Sequence, residues 1–249
     1  MKAIILAGGL GLRLRPLTNN VPKCMIKILD KPIVEYVVEW LQENGIQDIL
    51  FAAGYKWKKI REYFGDGSQH KVNIEYSVET NQLGDGGAVR NALQLLKADP
   101  KEAFLVVNGD IITNLRLKPV IDFHKRNNRL ATIVATQIRY PYGVIKVARK
   151  GVVQSMVEKP ILPVWSSIGI YMFRGQVETF LPERGNLAET TLPRLAEIGL
   201  LYAYRARGIF WRTIDDVKNL MSVEKELASG VIQMKSGNCS LKNCNLITV

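Results

Sequence analysis

Apolar residues recur along this chain at two spacings. Compact runs at 3–7, 49–53 and 104–107 are long enough for buried strands and too short for helices, and 72–78 alternates with period two. Between them Ile33, Val34, Val37, Val38 and Leu41 fall on one helical face, with Pro32 at its start and Asn44-Gly45 at its end. Segments 60–64, 88–96 and 120–124 predict further helices, and the β-branched run 131–138 a further strand. The middle then changes character: 144–147 and 152–157 read as a hairpin around Lys150-Gly151. Strands at 168–173, 200–204 and 210–214 and helices at 187–198 and 217–227 complete the pattern. Strands that alternate with helices predict an α/β fold, a mostly parallel sheet covered on both faces. Ligands of such sheets lie beyond the carboxyl ends of the strands. The glycine-rich turn after 3–7 and Asp110 after 104–107 stand at such ends, and a shared cleft is the expectation.

Composition narrows the partners. At 249 residues, 47% hydrophobic and 23% charged, the chain has the make-up of a globular protein with a sizeable core. No apolar run reaches the length of a membrane span, and the first strand lacks the charged flank and cleavage site of a signal peptide. A cytoplasmic location with no membrane partner is the expectation. The net charge of +11 raises nucleic acid as a partner. Yet Lys and Arg are scattered, in short clusters such as 56–59 and Lys125-Arg126, with no compact basic tract or recognition motif. The expectation is a solvated basic surface that attracts small anions, and no nucleic-acid partner. Cys24, Cys239 and Cys244 make neither a disulfide framework nor a zinc spacing, and His70 and His124, outside every motif, read as structural or surface residues. No break reads as a linker, which predicts one domain over 1–228 and a tail over 229–249.

The turn after the first strand is the first candidate for chemistry. Leu6 and Ala7 lead into Gly8-Gly9-Leu10-Gly11, where glycine leaves room for a ligand to approach the backbone. Consecutive amides in such a turn form a concave anion site, and Arg13, Arg15 and Lys23 place three cations beyond it. The spacing is neither the dinucleotide fingerprint nor a Walker loop. The combination suits a polyphosphate. The full run, Gly8-Gly9-x-Gly11-x-Arg13-Leu14-x-Pro16-Leu17-Thr18 and then Pro22-Lys23-x-Met25, resembles the signature of sugar-1-phosphate nucleotidyltransferases. The resemblance implies that Leu6, Ala7, Gly8, Gly9 and Gly11 wrap a nucleoside triphosphate, and that Arg13 and Lys23 hold its phosphates and the leaving pyrophosphate. Two positions depart from the family pattern: Leu12 replaces the usual Thr or Ser, and Cys24 the usual Pro.

Further motifs follow in the family's order. Gln82-Leu83-Gly84-Asp85-Gly86-Gly87-Ala88 is by itself a turn and a helix start. The resemblance implies base reading there, by the backbone at Gly84 and Gly87 and by Gln82, which offers both a donor and an acceptor. Asp85 stands where Thr is usual and could accept from the N–H groups of guanine. Asn108-Gly109-Asp110 ends a strand, where an Asp caps a segment or binds metal; the resemblance implies Mg²⁺ at Asp110. In Trp211-Arg212-Thr213-Ile214-Asp215-Asp216 the usual second metal Asp is Thr213. Strand alternation puts Trp211, Thr213 and Asp215 on one face if the strand extends that far, and the run also resembles the Trp-x-x-Met-Asp-Thr of the cytidylyltransferase branch, whose Asp comes four residues after Trp; together these make Asp215 the candidate second ligand. Asp215 and Asp216 also read as the start of the following helix. Tyr142-Gly143-Val144, Glu158-Lys159-Pro160 and Ser167-Ile168-Gly169 match sugar-site motifs, with Ser167 in place of Asn. The resemblance implies that Asn108, Tyr142, Gly143, Glu158, Lys159, Ser167 and Gly169 bind the sugar phosphate.

The fold implied is Rossmann-like, of the nucleotide-diphospho-sugar transferase type. The activity implied is synthesis of an NDP-sugar and pyrophosphate from a nucleoside triphosphate and a sugar-1-phosphate, with Mg²⁺ as cofactor and Arg13, Lys23, Asp110 and Lys159 as catalytic residues. The Gly86-Gly87 form resembles the guanylyl- and cytidylyltransferase branches more than the thymidylyl branch, and the pair preferred is GTP with a mannose- or heptose-like phosphate. Glucose-1-phosphate with UTP, dTTP or CTP is the alternative, and a catalytically silent nucleotide-sugar-binding subunit is the alternative of another class. Residues 237–246 resemble one coil of the left-handed β-helix that family members often carry. A single coil cannot bury its own face, which makes the tail a candidate contact for a homo-oligomer.

Overall fold

The computed structural model describes residues 1–97 and 99–230. In chain order its strands are β1 (Lys2–Ala7), β2 (Lys27–Ile28), β3 (Lys31–Pro32), β4 (Asp48–Ala53), β5 (Asn73–Val78), β6 (Ala103–Asn108), β7 (Ile111–Thr113), β8 (Ala131–Thr136), β9 (Val144–Val147), β10 (Val153–Val157), β11 (Ser166–Arg174), β12 (Leu201–Arg205) and β13 (Trp211–Thr213). The helices are α1 (Ile33–Glu43), α2 (Trp57–Phe64), α3 (Gly84–Leu96), α4 (Leu117–Lys125), α5 (Thr191–Glu197) and α6 (Val217–Ala228). None of them is long and apolar enough to cross a membrane.

Seven strands form one sheet in the order β12-β8-β11-β6-β1-β4-β5. Every neighbouring pair is parallel except those of β11, which runs antiparallel to β6 and β8. This is the mixed, mostly parallel sheet that the alternating pattern predicts. Both faces are buried. Ala3, Ile5 and Ala7 of β1 join the cluster made with Val34, Val37, Val38 and Leu41 of α1. Ile4 joins the opposite cluster, with Val89, Ala92 and Leu93 of α3 and Leu192 and Leu195 of α5. Full burial of an Ile such as Ile4 or Ile5 is worth about 1.5–3 kcal/mol, so β1 anchors the middle of the sheet.

A third, smaller cluster lies away from the sheet. Leu14, Ile26, Ile28 and Ile33 from the segment after β1 pack against Ile112 of β7, Ile214 and Val223 of α6. It clamps that segment to the short β7–β13 ribbon, which pairs Trp211 with Thr113 and Thr213 with Ile111.

Several boundaries differ from the sequence expectation, each for a local reason. α3 begins at Gly84 instead of 88, because the chain enters the helix directly from the glycine turn. The helix expected over 187–198 is confined to Thr191–Glu197. The preceding residues are tied into a turn instead: Leu187 N donates to Asp85 Oδ1, and Thr190 Oγ1 to the Asn186 carbonyl at 2.7 Å. α4 begins earlier, at Leu117, whose amide donates to Asn44 Oδ1 at 2.8 Å. The strand expected over 210–214 ends at Thr213, and does not extend to Asp215. Residues 231–249, with Cys239, Cys244 and the coil-like 237–246, lie outside the described residues.

Candidate active site

The segment after β1 doubles back on itself. Gly11 has φ +61°, and a Cβ there would come within 2.8 Å of Thr18 Cγ2 and 2.9 Å of Lys23 Cβ. Only glycine fits so tight a left-handed turn without strain. Thr18 Oγ1 donates to the Gly11 carbonyl at 3.0 Å, closing the loop and returning Lys23 to its base. From the other side, the β7–β13 pairing is extended by Ile214 N donating to the Asp110 carbonyl at 3.1 Å. That bond brings residue 215 beside residue 110. Lys23 Nζ then donates to Asp110 Oδ2 at 2.5 Å and to Asp215 Oδ1 at 2.7 Å. Arg13 Nη2 reaches the same Asp215 oxygen at 3.2 Å.

The charges in this group hold one another in place. Burial works against the Lys23 ammonium, yet Asp110 and Asp215 outweigh it and raise its pKa above the ordinary lysine value. Burial likewise works against the Asp215 carboxylate, but the hydrogen bond and charge of Lys23, with Arg13, lower its pKa. Asp216, by contrast, caps α6 by accepting from Asn219 N at 2.7 Å. The two neighbouring carboxylates therefore have separate places, Asp215 in the cluster and Asp216 in the helix cap. Cys24 is buried, and burial with the Asp110 charge pushes its thiol up to about 12, so it supplies no thiolate.

Asp110 Oδ1 is buried and has no hydrogen-bond partner. An unpaired buried carboxylate oxygen beside a second carboxylate fits a divalent cation. Among the described residues no group of three or more His, Cys, Asp and Glu forms a ready metal cage. Two carboxylates are nonetheless the set that Mg²⁺ takes when substrate phosphates complete its shell.

A pocket of about 410 Å³ opens over this cluster. Leu6, Ala7, Gly8 and Gly9 line one wall, Asn108, Gly109 and Asp110 another, with Lys23 and Cys24 between them and Gln82, Gly84 and Asp85 opposite. Gly11 and Arg13 do not line it; Arg13 stands exposed at its Asp215 contact. Nor does Gly87, which is buried where α3 meets the Glu183 carbonyl. The sugar-site candidates divide. Gly169, with φ +73°, leaves its face open to Asn108, whose Nδ2 would lie 2.5 Å from a Cβ there, and so ties β11 to the pocket wall. Ser167 Oγ donates to the Tyr171 hydroxyl at 3.3 Å. Tyr142, Gly143, Glu158 and Lys159 belong to the exposed flanks of the β9–β10 hairpin and do not line the pocket.

Sequence reasoning missed Glu79 and Asn186, which also line the pocket. Glu79 follows β5, the carboxyl end of a parallel strand, and that position was the available signal. Its Oε2 accepts from Leu83 N at 3.0 Å, which fixes the start of the glycine turn. Asp85 Oδ1 accepts from Leu187 N, and burial raises its pKa despite the amides of Leu187 and Gly86. One oxygen of Asp85 is thus already engaged by the protein itself.

A sequence profile described as Nucleotidyl transferase matches residues 2–230. The chain is 36% identical over 236 residues to the mannose-1-phosphate guanyltransferase of Yarrowia lipolytica, covering 89% of this chain and 62% of that protein. It is 35% identical over 230 residues to that of Saccharomyces cerevisiae, covering 89% and 63%. The chain thus spans less than two thirds of the length of these relatives. Its fold is similar to a putative glucose-1-phosphate thymidylyltransferase from Bacillus anthracis in complex with a sucrose (TM-score 0.73, 22% identity, 94% of this chain and 97% of that one). It is also similar to HddC from Yersinia pseudotuberculosis complexed with GMP-PN (TM-score 0.71, 24% identity, 91% and 99%). With the profile covering nearly the whole described chain, and the glycine loop, Lys23 and Asp110 gathered around one pocket, the chain belongs to the nucleotidyl transferase family.

Proposed function

We propose that this chain is a sugar-1-phosphate nucleotidyltransferase. A phosphate oxygen of the sugar-1-phosphate attacks the α-phosphorus of a nucleoside triphosphate in line. The bond from that phosphorus to the β-phosphate oxygen breaks, and pyrophosphate leaves with its electron pair. No covalent protein nucleophile is required, so catalysis is positioning and charge neutralisation. The observation that carries this reading is Lys23, held between Asp110 and Asp215 at the floor of a pocket walled by Gly8 and Gly9. Lys23 and Arg13 are the cations that take up charge on the departing pyrophosphate. Asp110 and Asp215 would hold Mg²⁺, which when bound supplies neutralisation of the phosphate charge. Glu158 and Lys159 offer an acceptor for sugar hydroxyls and a cation for the sugar phosphate.

GTP with mannose-1-phosphate is the preferred pair. Two carboxylates, Glu79 and Asp85, line the pocket, and a carboxylate is an acceptor suited to the ring N–H and amino group of guanine. The names of the relatives at 34–36% identity point the same way. A pyrophosphate-release screen of the common nucleoside triphosphates against mannose-, glucose- and heptose-1-phosphates tests it. The expected result is turnover highest with GTP and mannose-1-phosphate, by about tenfold or more over other pairs. Tight GTP binding without pyrophosphate release from any pair would replace this reading with that of a binding-only subunit.

A further inference from the structure

The carboxylate oxygens on the floor of the pocket are unevenly used. Asp110 Oδ2 and Asp215 Oδ1 both accept from Lys23 Nζ, and Asp215 Oδ1 also accepts from Arg13. Asp215 Oδ2 accepts from the Thr213 hydroxyl at 3.5 Å, and Asp110 Oδ1 is buried with no partner among the described residues. The Lys23 and Asp110 side chains are only 15% and 21% exposed, so solvent does little to screen the pair. Two cations against two carboxylates leave the group neutral. A neutral group exerts little pull on a divalent cation, and two of the oxygens that would take one are already engaged. Lys23 also belongs to the phosphate side of the pocket. Its Cβ and Cγ lie 2.9 and 3.4 Å from the point where a side chain on Gly11 would begin, so the lysine stem rises from the glycine loop itself. A flexible stem of four carbons carries a point charge with three rotatable donors, which can serve carboxylate or phosphate oxygens within one pocket.

We propose that Lys23 competes with the divalent cation for Asp110 and Asp215, and that an arriving triphosphate draws the ammonium away, so that nucleotide and metal bind cooperatively. The inference rests on the proposed function, which supplies both ligands, and adds a dependence of each on the other. In the free protein Lys23 closes the two carboxylates against a metal. A triphosphate seated on the Gly8-Gly9 loop offers the ammonium a second set of anionic oxygens. With Lys23 turned to them, both carboxylates regain their full charge and their free oxygens for Mg²⁺. By linkage, each ligand then raises the affinity of the other by the same factor. Arg13 cannot take this part: its side chain is 73% exposed, it reaches Asp215 alone, and water screens it.

Titration of Mn²⁺ into the nucleotide-free, full-length chain, with free Mn²⁺ read by electron paramagnetic resonance, tests this without nucleotide or turnover. Lys23→Met should tighten Mn²⁺ binding about tenfold or more, a factor within the ordinary range of coupling between sites. Arg13→Gln removes a charge of the same sign from the same Asp215 oxygen but leaves Lys23 in place, and should change Mn²⁺ affinity less than about threefold. A second arm omits metal and does not depend on how Lys23→Met folds. With EDTA present, Asp110→Asn should release Lys23 and tighten the binding of inorganic triphosphate about three- to tenfold by calorimetry. Mn²⁺ affinity unchanged or reduced in Lys23→Met, an equal gain in Arg13→Gln, or metal-free triphosphate affinity unmoved or lowered by Asp110→Asn would each overturn the proposal. A Mn²⁺ gain in Lys23→Met, in a chain that releases no pyrophosphate from any substrate pair, would support it while refuting the proposed activity.

Discussion

Lys23 meets two carboxylates and leaves a third oxygen, Asp110 Oδ1, buried without a partner. That asymmetry separates the roles of the residues. Under the proposed function, nucleotide contacts would be spread over the loop backbone, whereas the cluster would compensate charge during transfer. Asp110→Ala should therefore lower pyrophosphate release about a thousandfold while changing the GTP dissociation constant by less than about tenfold. Rate measurements at saturating Mg²⁺ with calorimetric GTP titrations separate the two, and turnover at the unmodified rate would remove Asp110 from the chemistry. At this scale the sequence was legible where a residue type is unusual for its place. Asp110 at a strand end and Lys23 after a glycine loop declare themselves. Asp215 and Asp216 do not, because the end of a strand and the start of a helix call for acidic residues at adjoining positions. Their division needed the observation that β13 ends at Thr213 and that Asp216 accepts from Asn219 N. Glu79 carried only a weak signal, its place at a strand end: strand ends carry many acidic residues, and only the fold shows that this one borders the glycine turn.

Elements differed in how plainly they were written. β1, β4 and β6 are buried on both faces, and continuous apolar runs of that length have no other stable home. β7 and β13 are three residues each, too short to carry a period, yet their pairing brings Asp215 to Asp110. α5 shrank because the Asp85 carboxylate and the Thr190 hydroxyl offer the backbone at Leu187 and Asn186 hydrogen bonds that compete with a helix. The contact of α4 with β8 adds a measurable consequence. His124 of α4 is fully buried, its Nδ1 3.0 Å from Thr132 Oγ1 of β8, and burial with Arg174, Arg129 and Lys125 pushes its pKa from 6.5 down to about 4. A histidine depressed in this way is neutral in the fold and takes up its proton more readily when unfolded. Its contribution to stability is present above pH 6.5 and is lost as pH falls from there toward 4. The loss should reach about 3 kcal/mol, because each tenfold difference in proton affinity between the folded and unfolded chain is worth about 1.4 kcal/mol. Urea unfolding at several pH values, compared with His124→Gln, checks this: the variant should lack most of the decline between pH 6.5 and 4. Parallel curves for the two proteins would show that other groups cause it.

Across the whole molecule, 34 basic residues against 23 acidic ones give a charge of +11 that belongs to no single tract. Fold class was legible because the alternation of strands and helices runs through most of the chain, and the preferred base and sugar were not, because under the proposed function a few side chains around one pocket would choose them. Under the proposed function the distributed charge would act between those scales, on the approach of an anionic nucleotide. The cations near the pocket differ in exposure: the Arg13 side chain is 73% exposed, that of Lys23 only 15%. Salt screens exposed charges within about 8–10 Å near physiological strength and buried pairs much less. Under the proposed function, capture of the nucleotide by the basic surface and Arg13 should then be salt-sensitive, while a transfer step assisted by Lys23 should not. Raising NaCl from about 50 to 500 mM at fixed Mg²⁺ is expected to raise the KM for GTP about three- to tenfold and to change kcat by less than about twofold. Potassium glutamate in place of NaCl should act alike if screening is the cause, and a KM indifferent to either salt would assign nucleotide capture to the buried contacts of the pocket instead of the surface field.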